Sequence, residues 1–285
     1  MRSKLFVPGA RPELFAKALA SEADALSFDL EDSVVEGRKA EARATVARFV
    51  ASGEVARSDK SIVVRTNAPD SKHFADDVAA IAMPQVTLIN LPKIESSEAL
   101  LAAIGILETA ERANGVAHPI SLLVNIETPK AMAHAAHIAS AHPRVVGLQL
   151  GLGDLFEPHG IDRGDVRNVH AAMFTLRMAA AQAGVFAMDG AFAVLDDDAG
   201  YVAEAGMARS LGFVGKSCIH PKQVPLANAA FAATDAELAR AQRIVDAANA
   251  HGASSLGAFA VDGRMIDLPF LKRAQALLAA SRKQG

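Results

Sequence analysis

The 285-residue sequence predicts an α/β fold, a closed (β/α)8 barrel with a C-terminal helical extension. Short apolar segments rich in β-branched residues alternate with longer alanine-rich helical patterns along the chain, as is typical of a parallel sheet. Eight such strand segments occur within about 220 residues, which is the number that a closed barrel needs. An open, doubly wound sheet is the alternative architecture for the same alternation.

The strand segments are apolar runs bounded by polar or glycine-containing breaks. In chain order they are KLFV (4–7), ALSFDL (25–30), SIVVRT (61–66), VTLINL (86–91), SLLVNI (121–126), VVGLQL (145–150), VFAM (185–188) and GFVGKSCI (212–219). Helical patterns lie between these segments. In the pattern over residues 96–114, Ser96 and Ser97 are candidate N-caps, and Glu98 suits the first turn of a helix.

The barrel is predicted to occupy residues 1–225 and the C-terminal helical extension residues 226–285. Within the extension, DAELARAQRIVDAANAHG (235–252) predicts an amphipathic helix. The segment FAVDGRMIDLPF (259–270) then predicts a turn before a last helix that runs to the C-terminus. A barrel is complete without such a tail, so composition and periodicity give the extension no purpose.

Composition excludes several classes of function. With 51% hydrophobic and 21% charged residues, the chain has enough apolar material for a full core. A net charge of −3 offers no general attraction to nucleic acid or to an anionic membrane, so neither is an expected partner. Cys218 is the only cysteine, which excludes an internal disulfide and suits a reducing compartment. No apolar run approaches the roughly 18 residues of a membrane span, and a cytoplasmic location is predicted.

Polar residues follow almost every predicted strand. In a (β/α)8 barrel the active site is built at the carboxyl ends of the strands, so these residues are the candidates for chemistry. They are Glu31 and Asp32 after the second strand, Arg65 at the end of the third, Lys93 after the fourth, Glu127 after the fifth, Asp154 after the sixth, Asp189 after the seventh, and Ser217 and His220 at the eighth.

Glu127 and Asp154 lie about one βα unit apart, so their carboxylates are expected at adjacent strand ends. Two neighbouring carboxylates repel each other unless a cation neutralises them, and Mg²⁺ prefers oxygen ligands of this kind. In the stretch GLGDLF, Gly151 and Gly153 would then leave room for a substrate beside the metal. The alternative is structural: Asp154 caps the next helix, and Glu127 pairs with Lys130.

Arg65 ends an apolar strand, where an unpaired guanidinium would be costly to bury. It is therefore expected to pair with Glu31 or Asp32, to bind an anionic group of a substrate, or to do both. Lys93 has the same alternatives. We assign Arg65, Glu31, Asp32 and Lys93 to a predicted substrate-binding group.

Eight stretches follow one another over nearly the whole chain, namely RSKLFVPG, FDLEDSV, VVRTN, LPKIES, NIETPKA, GLGDL, GFVGKSCIHPKQV and DGRMIDLP. Together they resemble the citrate lyase β-subunit and malyl-CoA lyase family of carbon–carbon lyases, within the HpcH/HpaI aldolase superfamily. The resemblance implies a TIM barrel, usually a homotrimer, in which Glu127 and Asp154 hold Mg²⁺ and Arg65 contacts substrate. It also implies that Asp267 is the acid/base residue, on a C-terminal segment that reaches a neighbouring subunit's active site.

The activity implied by the resemblance is cleavage or formation of a carbon–carbon bond in a β-hydroxyacyl-CoA, such as malyl-CoA or citramalyl-CoA, to give acetyl-CoA and a 2-oxo acid. Arg65 would stabilise the enolate that forms, and Asp267 would exchange a proton with the acetyl methyl carbon. Among the basic residues near the first strand, Arg2 and Lys4 are candidate partners of the CoA phosphates.

Other functions fit the same motifs. The chain is also compatible with a citrate lyase β subunit that acts on an acyl-carrier-protein thioester, citryl-ACP. A metal-dependent aldolase that accepts free 2-oxo acids is a related possibility. From a different class, the chain is compatible with a catalytically silent ligand-binding barrel.

Overall fold

The computed structural model describes residues 1–250 and 258–282. The chain divides into two compact units, Met1–Phe231 and Ala232–Gly285. The sequence placed the boundary between residues 225 and 226, inside the helix Gln223–Phe231. This helix belongs to the first unit, because its Asn228 accepts a hydrogen bond from Ser3 and donates one to a backbone carbonyl of the same unit.

In the first unit, eight parallel strands pair in chain order, and the eighth pairs with the first to close the barrel. The strands are β1 (Ser3–Pro8), β2 (Ala25–Asp29), β3 (Ser61–Arg65), β4 (Leu88–Leu91), β5 (Ser121–Ile126), β6 (Val145–Leu150), β7 (Phe186–Asp189) and β8 (Gly215–Cys218). The predicted closed barrel is therefore confirmed over the open sheet. Every residue of β2 and β4 is buried, as expected for strands covered on both faces.

Helices surround the barrel and cover its outer face. Those of the first unit are α1 (Phe15–Leu19), α2 (Lys39–Val50), α3 (Gly53–Ala56), α4 (Phe74–Ile81), α5 (Ser97–Ala113), α6 (Pro129–Ser140), α7 (Leu152–Phe156), α8 (Val166–Ala183), α9 (Asp198–Leu211) and α10 (Gln223–Phe231), with 3₁₀ turns at Pro12–Leu14, Glu36–Arg38 and Glu157–His159. Helix α5 begins as predicted, because the Ser96 hydroxyl accepts a hydrogen bond from the backbone N–H of Ala99 at 3.2 Å. Leu100, Ile104 and Leu107 form its buried stripe at helical spacing.

The main apolar core lies between the strands and the helices, whereas the interior of the barrel combines a small apolar cluster of Ala25, Val63 and Leu88 with several buried polar side chains. Lys4 on β1 bonds to Asn90 on β4, almost directly across the barrel, so both side chains point inward. Asn125, Gln149 and Lys216 are also buried polar residues of the strands. An interior of this kind combines specific hydrogen bonds with apolar packing.

The second unit is a β-hairpin packed on two helices. Its elements are α11 (Asp235–Ala250), β9 (Ala258–Val261), β10 (Arg264–Asp267) and α12 (Leu268–Arg282). The sequence predicted a turn here, but the structure shows an antiparallel pair of strands joined by Asp262 and Gly263, both with positive φ. An Asp-Gly dipeptide between alternating residues is a hairpin signal of the type I′ kind. The predicted helix residues 251–252 and 283–285 lie outside the described residues.

Over the described part of the chain, none of the helices combines the length and the apolar character that a membrane crossing would require.

Candidate active site

A cavity of about 1030 Å³ opens at the carboxyl ends of the barrel strands. Arg65, Asp32, Glu127 and Asp154 are among the residues that line it, so the structure brings four predicted site residues to one surface. Other lining residues come from the segments that follow β6 and β7, including Arg163 and Phe192. This placement follows from the fold, because all eight strand ends face the same side of the barrel.

Arg65 is held by carboxylates that follow the neighbouring strand. Its Nε and Nη2 atoms donate to the two carboxylate oxygens of Asp29, at 2.7 and 2.8 Å. Its Nη1 atom lies 2.9 Å from Glu31 and 3.2 Å from Asp32. Burial alone would lower the pKa of Arg65, but these carboxylates raise it, so the guanidinium stays charged. A paired fork of this kind fixes both the position and the plane of the cation.

Asp29 is a site residue that the sequence interpretation missed. The sequence indicated Glu31 or Asp32 as the partner of Arg65. Both carboxylates contact Arg65, but the residue that accepts two hydrogen bonds from it is Asp29. Asp29 is buried, and burial alone would raise the pKa of its carboxyl group, but Arg65 holds that pKa below its ordinary value. A signal was available, because Asp29 and Arg65 end consecutive strands and are directly paired in the β2–β3 register.

Lys93 joins the cationic and anionic parts of the site. It adopts a positive φ of 55°, unusual for a side chain of this size, and this conformation directs its backbone N–H to Glu127 Oε1 at 2.7 Å. Its ammonium nitrogen lies 3.2 Å from Glu31. Because burial of Glu31 outweighs the attraction of Arg65, the pKa of this carboxyl group rises to about 7. Lys93 thus positions one carboxylate through its backbone and contacts another through its side chain.

Glu127 is almost fully buried and accepts two hydrogen bonds, one from the Lys93 backbone and one at 3.1 Å from the Asn125 side-chain amide. Burial raises the pKa of its carboxyl group, and the negative charge of Asp154 adds to the rise. Gly151 makes room for this side chain. A Cβ atom at position 151 would lie 2.5 Å from Glu127 Cβ and 2.8 Å from Oε2.

This contact corrects the predicted role of the glycines, because the space at Gly151 is filled by Glu127 and not by a substrate. Gly153 does border open space in the cavity wall. The structural alternative for the two carboxylates is also wrong. Asp154 lies inside α7, whose N-cap is Gly151, and Lys130 pairs with Glu95 at 3.2 Å.

The donor set suits Mg²⁺. Asp154 is exposed to the cavity, and its negative charge raises the pKa of Glu127, as expected of two carboxylates arranged for a shared cation. Gln149 Oε1 is buried at the same cavity without a hydrogen-bond partner among the described residues. Across residues 1–250 and 258–282, no cluster of three or more His, Cys, Asp or Glu side chains could hold a metal. Two protein carboxylates leave the remaining positions to water and substrate, which Mg²⁺ commonly requires.

The predicted CoA contacts at Arg2 and Lys4 need correction. Arg2 precedes β1 at the opposite end of the barrel, where it forms a bidentate ion pair with Asp24 at 2.8 and 3.0 Å. Lys4 is fully buried in the barrel interior. Neither side chain can reach a phosphate group at the cavity, because one faces away from it and the other lies below it.

Two other predicted residues, Asp267 and Asp189, have the following surroundings within their own units. Asp267 ends β10 in the second unit, and its Oδ1 atom is buried without a hydrogen-bond partner among the described residues. Asp189 is buried beside Lys216, whose ammonium group donates to Asp189 at 2.6 Å and to Glu204 at 2.7 Å. Glu204 in turn pairs with Arg163 on the cavity wall at 2.6 Å.

Comparisons with known proteins agree with the motifs. A family model described as HpcH/HpaI aldolase/citrate lyase matches residues 2–221. An L-malyl-CoA/beta-methylmalyl-CoA lyase of Cereibacter sphaeroides is 33% identical, over 97% of this chain and 93% of that protein. The citrate lyase subunit beta of Escherichia coli is 34% identical, over 100% of this chain and 94% of that protein. A crystal structure of CitE from Mycobacterium tuberculosis with magnesium, acetoacetate and coenzyme A is 33% identical, with a TM-score of 0.75 and coverage of 98% of both chains.

Proposed function

The chain belongs to the HpcH/HpaI aldolase/citrate lyase family, and on that premise we propose that it is a Mg²⁺-dependent carbon–carbon lyase. It cleaves or forms a bond in a β-hydroxyacyl-CoA, such as malyl-CoA or citramalyl-CoA, with acetyl-CoA and a 2-oxo acid as the other side of the reaction. The observation that carries this proposal is the meeting of an Arg65 guanidinium with the Glu127 and Asp154 carboxylates at one cavity. The magnesium and coenzyme A in the M. tuberculosis relative support the choice of cofactor and thioester.

Cleavage requires three things of the protein. The hydroxyl group must lose its proton, the thioester enolate must be stabilised as the carbon–carbon bond breaks, and the 2-oxo acid must be held. Glu127 and Asp154 would hold Mg²⁺, which when bound supplies a Lewis acid and a template for the substrate's carboxylate and hydroxyl oxygens. Lys93 and Asn125 keep Glu127 in place through hydrogen bonds of 2.7 and 3.1 Å.

Arg65 supplies positive charge for the enolate oxygen. Because Asp29 fixes the guanidinium through two hydrogen bonds, little reorganisation is needed when negative charge develops. Glu31, Asp32 and Lys93 surround Arg65 and complete the substrate-binding group. Asp267 gives a proton to the acetyl carbon during cleavage and removes one during condensation, while the hydroxyl proton passes to water and Asp267 is reprotonated from water, so that cleavage has no net change in protons. In this proposal the C-terminal unit carries Asp267 to a neighbouring subunit of a homotrimer, and the enzyme works in the cytoplasm.

A second candidate is a citrate lyase β subunit that acts on an acyl-carrier-protein thioester. The E. coli citrate lyase subunit is as similar to this chain as the malyl-CoA lyase is, which favours keeping this candidate. The two candidates share the metal site and Arg65, and they differ in the carrier of the acyl group. The retained Asp267 segment favours the stand-alone lyase.

The test is direct. The purified protein is incubated separately with malyl-CoA and citramalyl-CoA, with Mg²⁺ or with excess EDTA, and acetyl-CoA is followed by mass spectrometry. Release from one substrate that depends on Mg²⁺ supports the proposal and identifies the acyl group. If neither thioester is cleaved, citryl-ACP and free 2-oxo acids are assayed in the same way. A protein that is inactive on all of them and gains no thermal stability from Mg²⁺ is a silent barrel.

A further inference from the structure

A chain of hydrogen-bonded side chains crosses the barrel interior from Lys4 to Glu127. Lys4 Nζ donates to Asn90 Oδ1 at 3.3 Å. Asn90 Nδ2 donates to Asn125 Oδ1 at 2.8 Å, and Asn125 Nδ2 donates to Glu127 Oε2 at 3.1 Å. This series of hydrogen bonds thus begins on β1 beneath the cavity and passes through β4 and β5. It ends on the Glu127 carboxylate, which lines the cavity.

The direction of this chain is fixed at its Glu127 end and at Asn90. An ionised carboxylate such as that of Glu127 and a backbone carbonyl such as that of Leu123 can only accept. Each asparagine therefore presents its oxygen toward Lys4 and its amide hydrogens toward Glu127. Asn90 is further constrained, because its Nδ2 atom also donates to the backbone carbonyl of Leu123 at 3.0 Å. Hydrogen bonds aligned in one direction polarise one another and strengthen the last donor in the series.

Lys4 has no evident structural reason to be a lysine. It is fully buried, and among the described residues its ammonium group has one hydrogen-bond acceptor, Asn90, and the ring of Phe6 at 4.1 Å. Among the described residues, the other fully buried lysine is Lys216, which has two carboxylates within 2.7 Å. Burial lowers the pKa of Lys4 well below its ordinary value, and the nearby Arg65 lowers it further. Stability alone would favour an apolar side chain at this position.

We infer that Lys4, Asn90 and Asn125 form a positioning chain that fixes the Glu127 carboxylate in the orientation and polarity needed to bind Mg²⁺. This inference rests on the proposed function, in which Glu127 is a ligand of the metal. Lys4 and Asn90 do not line the cavity, and Asn125 lines it next to Glu127, to which its amide donates. They act through Glu127, as partners of metal ligands commonly do.

The inference is tested by Mg²⁺ affinity, measured by isothermal titration calorimetry on the EDTA-treated and dialysed protein. Loss of a partner of a metal ligand typically weakens affinity by about 10- to 100-fold. Asn125→Ala is expected to fall in this range, and Lys4→Met to weaken binding by a smaller factor of about 3 to 10. Because both act through the same hydrogen bond, the double variant should bind no more weakly than Asn125→Ala alone. Ser27→Ala is the matched control, since its buried hydroxyl on β2 has no hydrogen-bond partner among the described residues.

Melting temperature in EDTA separates folding from metal binding. If Lys4→Met folds and binds Mg²⁺ as tightly as the wild type, the inference is wrong. It is also wrong if the two substitutions have multiplicative effects, because they then act independently. Glu127→Gln distinguishes a failure of the proposed function: if this variant also binds Mg²⁺ like the wild type, Glu127 is not a ligand at all. If Lys4→Met does not fold, Asn90→Leu interrupts the same series of hydrogen bonds at its middle. It then replaces Lys4→Met in the comparison of single and double variants.

Discussion

Glu31 provides a quantitative test of the electrostatics of this site. Its carboxyl group is buried beside Arg65, and this burial raises its pKa from the ordinary 4.5 to about 7, against the pull of Arg65. The folded protein therefore keeps a proton on Glu31 at pH values where the unfolded chain has lost it. Below pH 4.5 this group is protonated in both states and leaves the free energy of unfolding unchanged, and as the pH rises from 4.5 to about 7 the folded state progressively loses stability.

The substitution Glu31→Gln removes this titration. The two pKa values differ by about 2.5 pH units, which at about 1.4 kcal/mol for each unit corresponds to about 3.5 kcal/mol. At pH 8 the wild type carries the full cost of the buried charge, whereas the neutral glutamine does not. We therefore expect the variant to be more stable than the wild type by up to about 3.5 kcal/mol at pH 8, and the two to be nearly equal at pH 4.5.

The free energies of unfolding are measured by urea denaturation in EDTA across this pH range. Glu95→Gln is the control, because hydrogen bonding to Thr128 and the charge of Lys130 lower the pKa of Glu95, and its loss should slightly destabilise the protein at pH 8. A Glu31→Gln variant that is less stable than the wild type at pH 8 would refute the reasoning. A difference that does not change with pH would refute it equally.

Three further substitutions test the site. Asp29→Asn removes the negative charge that holds Arg65 in place, so kcat for acyl-CoA cleavage should fall at least tenfold; steady-state kinetics with an unchanged rate would contradict this role. Gly151→Ala places a Cβ atom 2.5 Å from that of Glu127, so the Glu127 side chain must move. Calorimetry should then show Mg²⁺ binding weakened by about 10- to 100-fold. An unchanged affinity would show that Glu127 tolerates this displacement. Asp267→Asn removes the proposed proton donor, so kcat should fall by about 10²- to 10⁴-fold, and wild-type turnover would exclude Asp267 from the chemistry.

The fold was largely predictable because a parallel barrel leaves a repetitive pattern. Each strand is covered on both faces and is therefore a short apolar run, and each is followed by a helix with its own period. The eighth strand was predicted over 212–219 but spans Gly215–Cys218, since Gly212 ends α9 with a positive φ. The hairpin in the second unit was missed, although the Asp262-Gly263 pair carried a recognisable turn signal.

The sequence predicted which residues reach the candidate site, but it did not predict the hydrogen-bond and ion-pair partners of those residues. Arg65, Glu127 and Asp154 could be assigned to one cavity because each lies at or after the carboxyl end of a strand. In a parallel barrel all of these ends lie on the same side. The sequence could not tell that Lys4 points into the barrel, because a strand buried on both faces has no polar side to orient it. It likewise could not give the chain through Asn90 and Asn125, which depends on contacts between strands far apart in sequence.

The central claim is that Asp154 and Glu127 together support Mg²⁺-dependent cleavage of a β-hydroxyacyl thioester. The most direct measurement is the rate of acetyl-CoA release from malyl-CoA or citramalyl-CoA by the wild type and by Asp154→Asn, at high Mg²⁺ and in EDTA. We expect release only by the wild type with Mg²⁺, and a rate below about 1% of that value for a variant that melts at the wild-type temperature. Release that survives EDTA, or an Asp154→Asn variant as active as the wild type, would contradict the account.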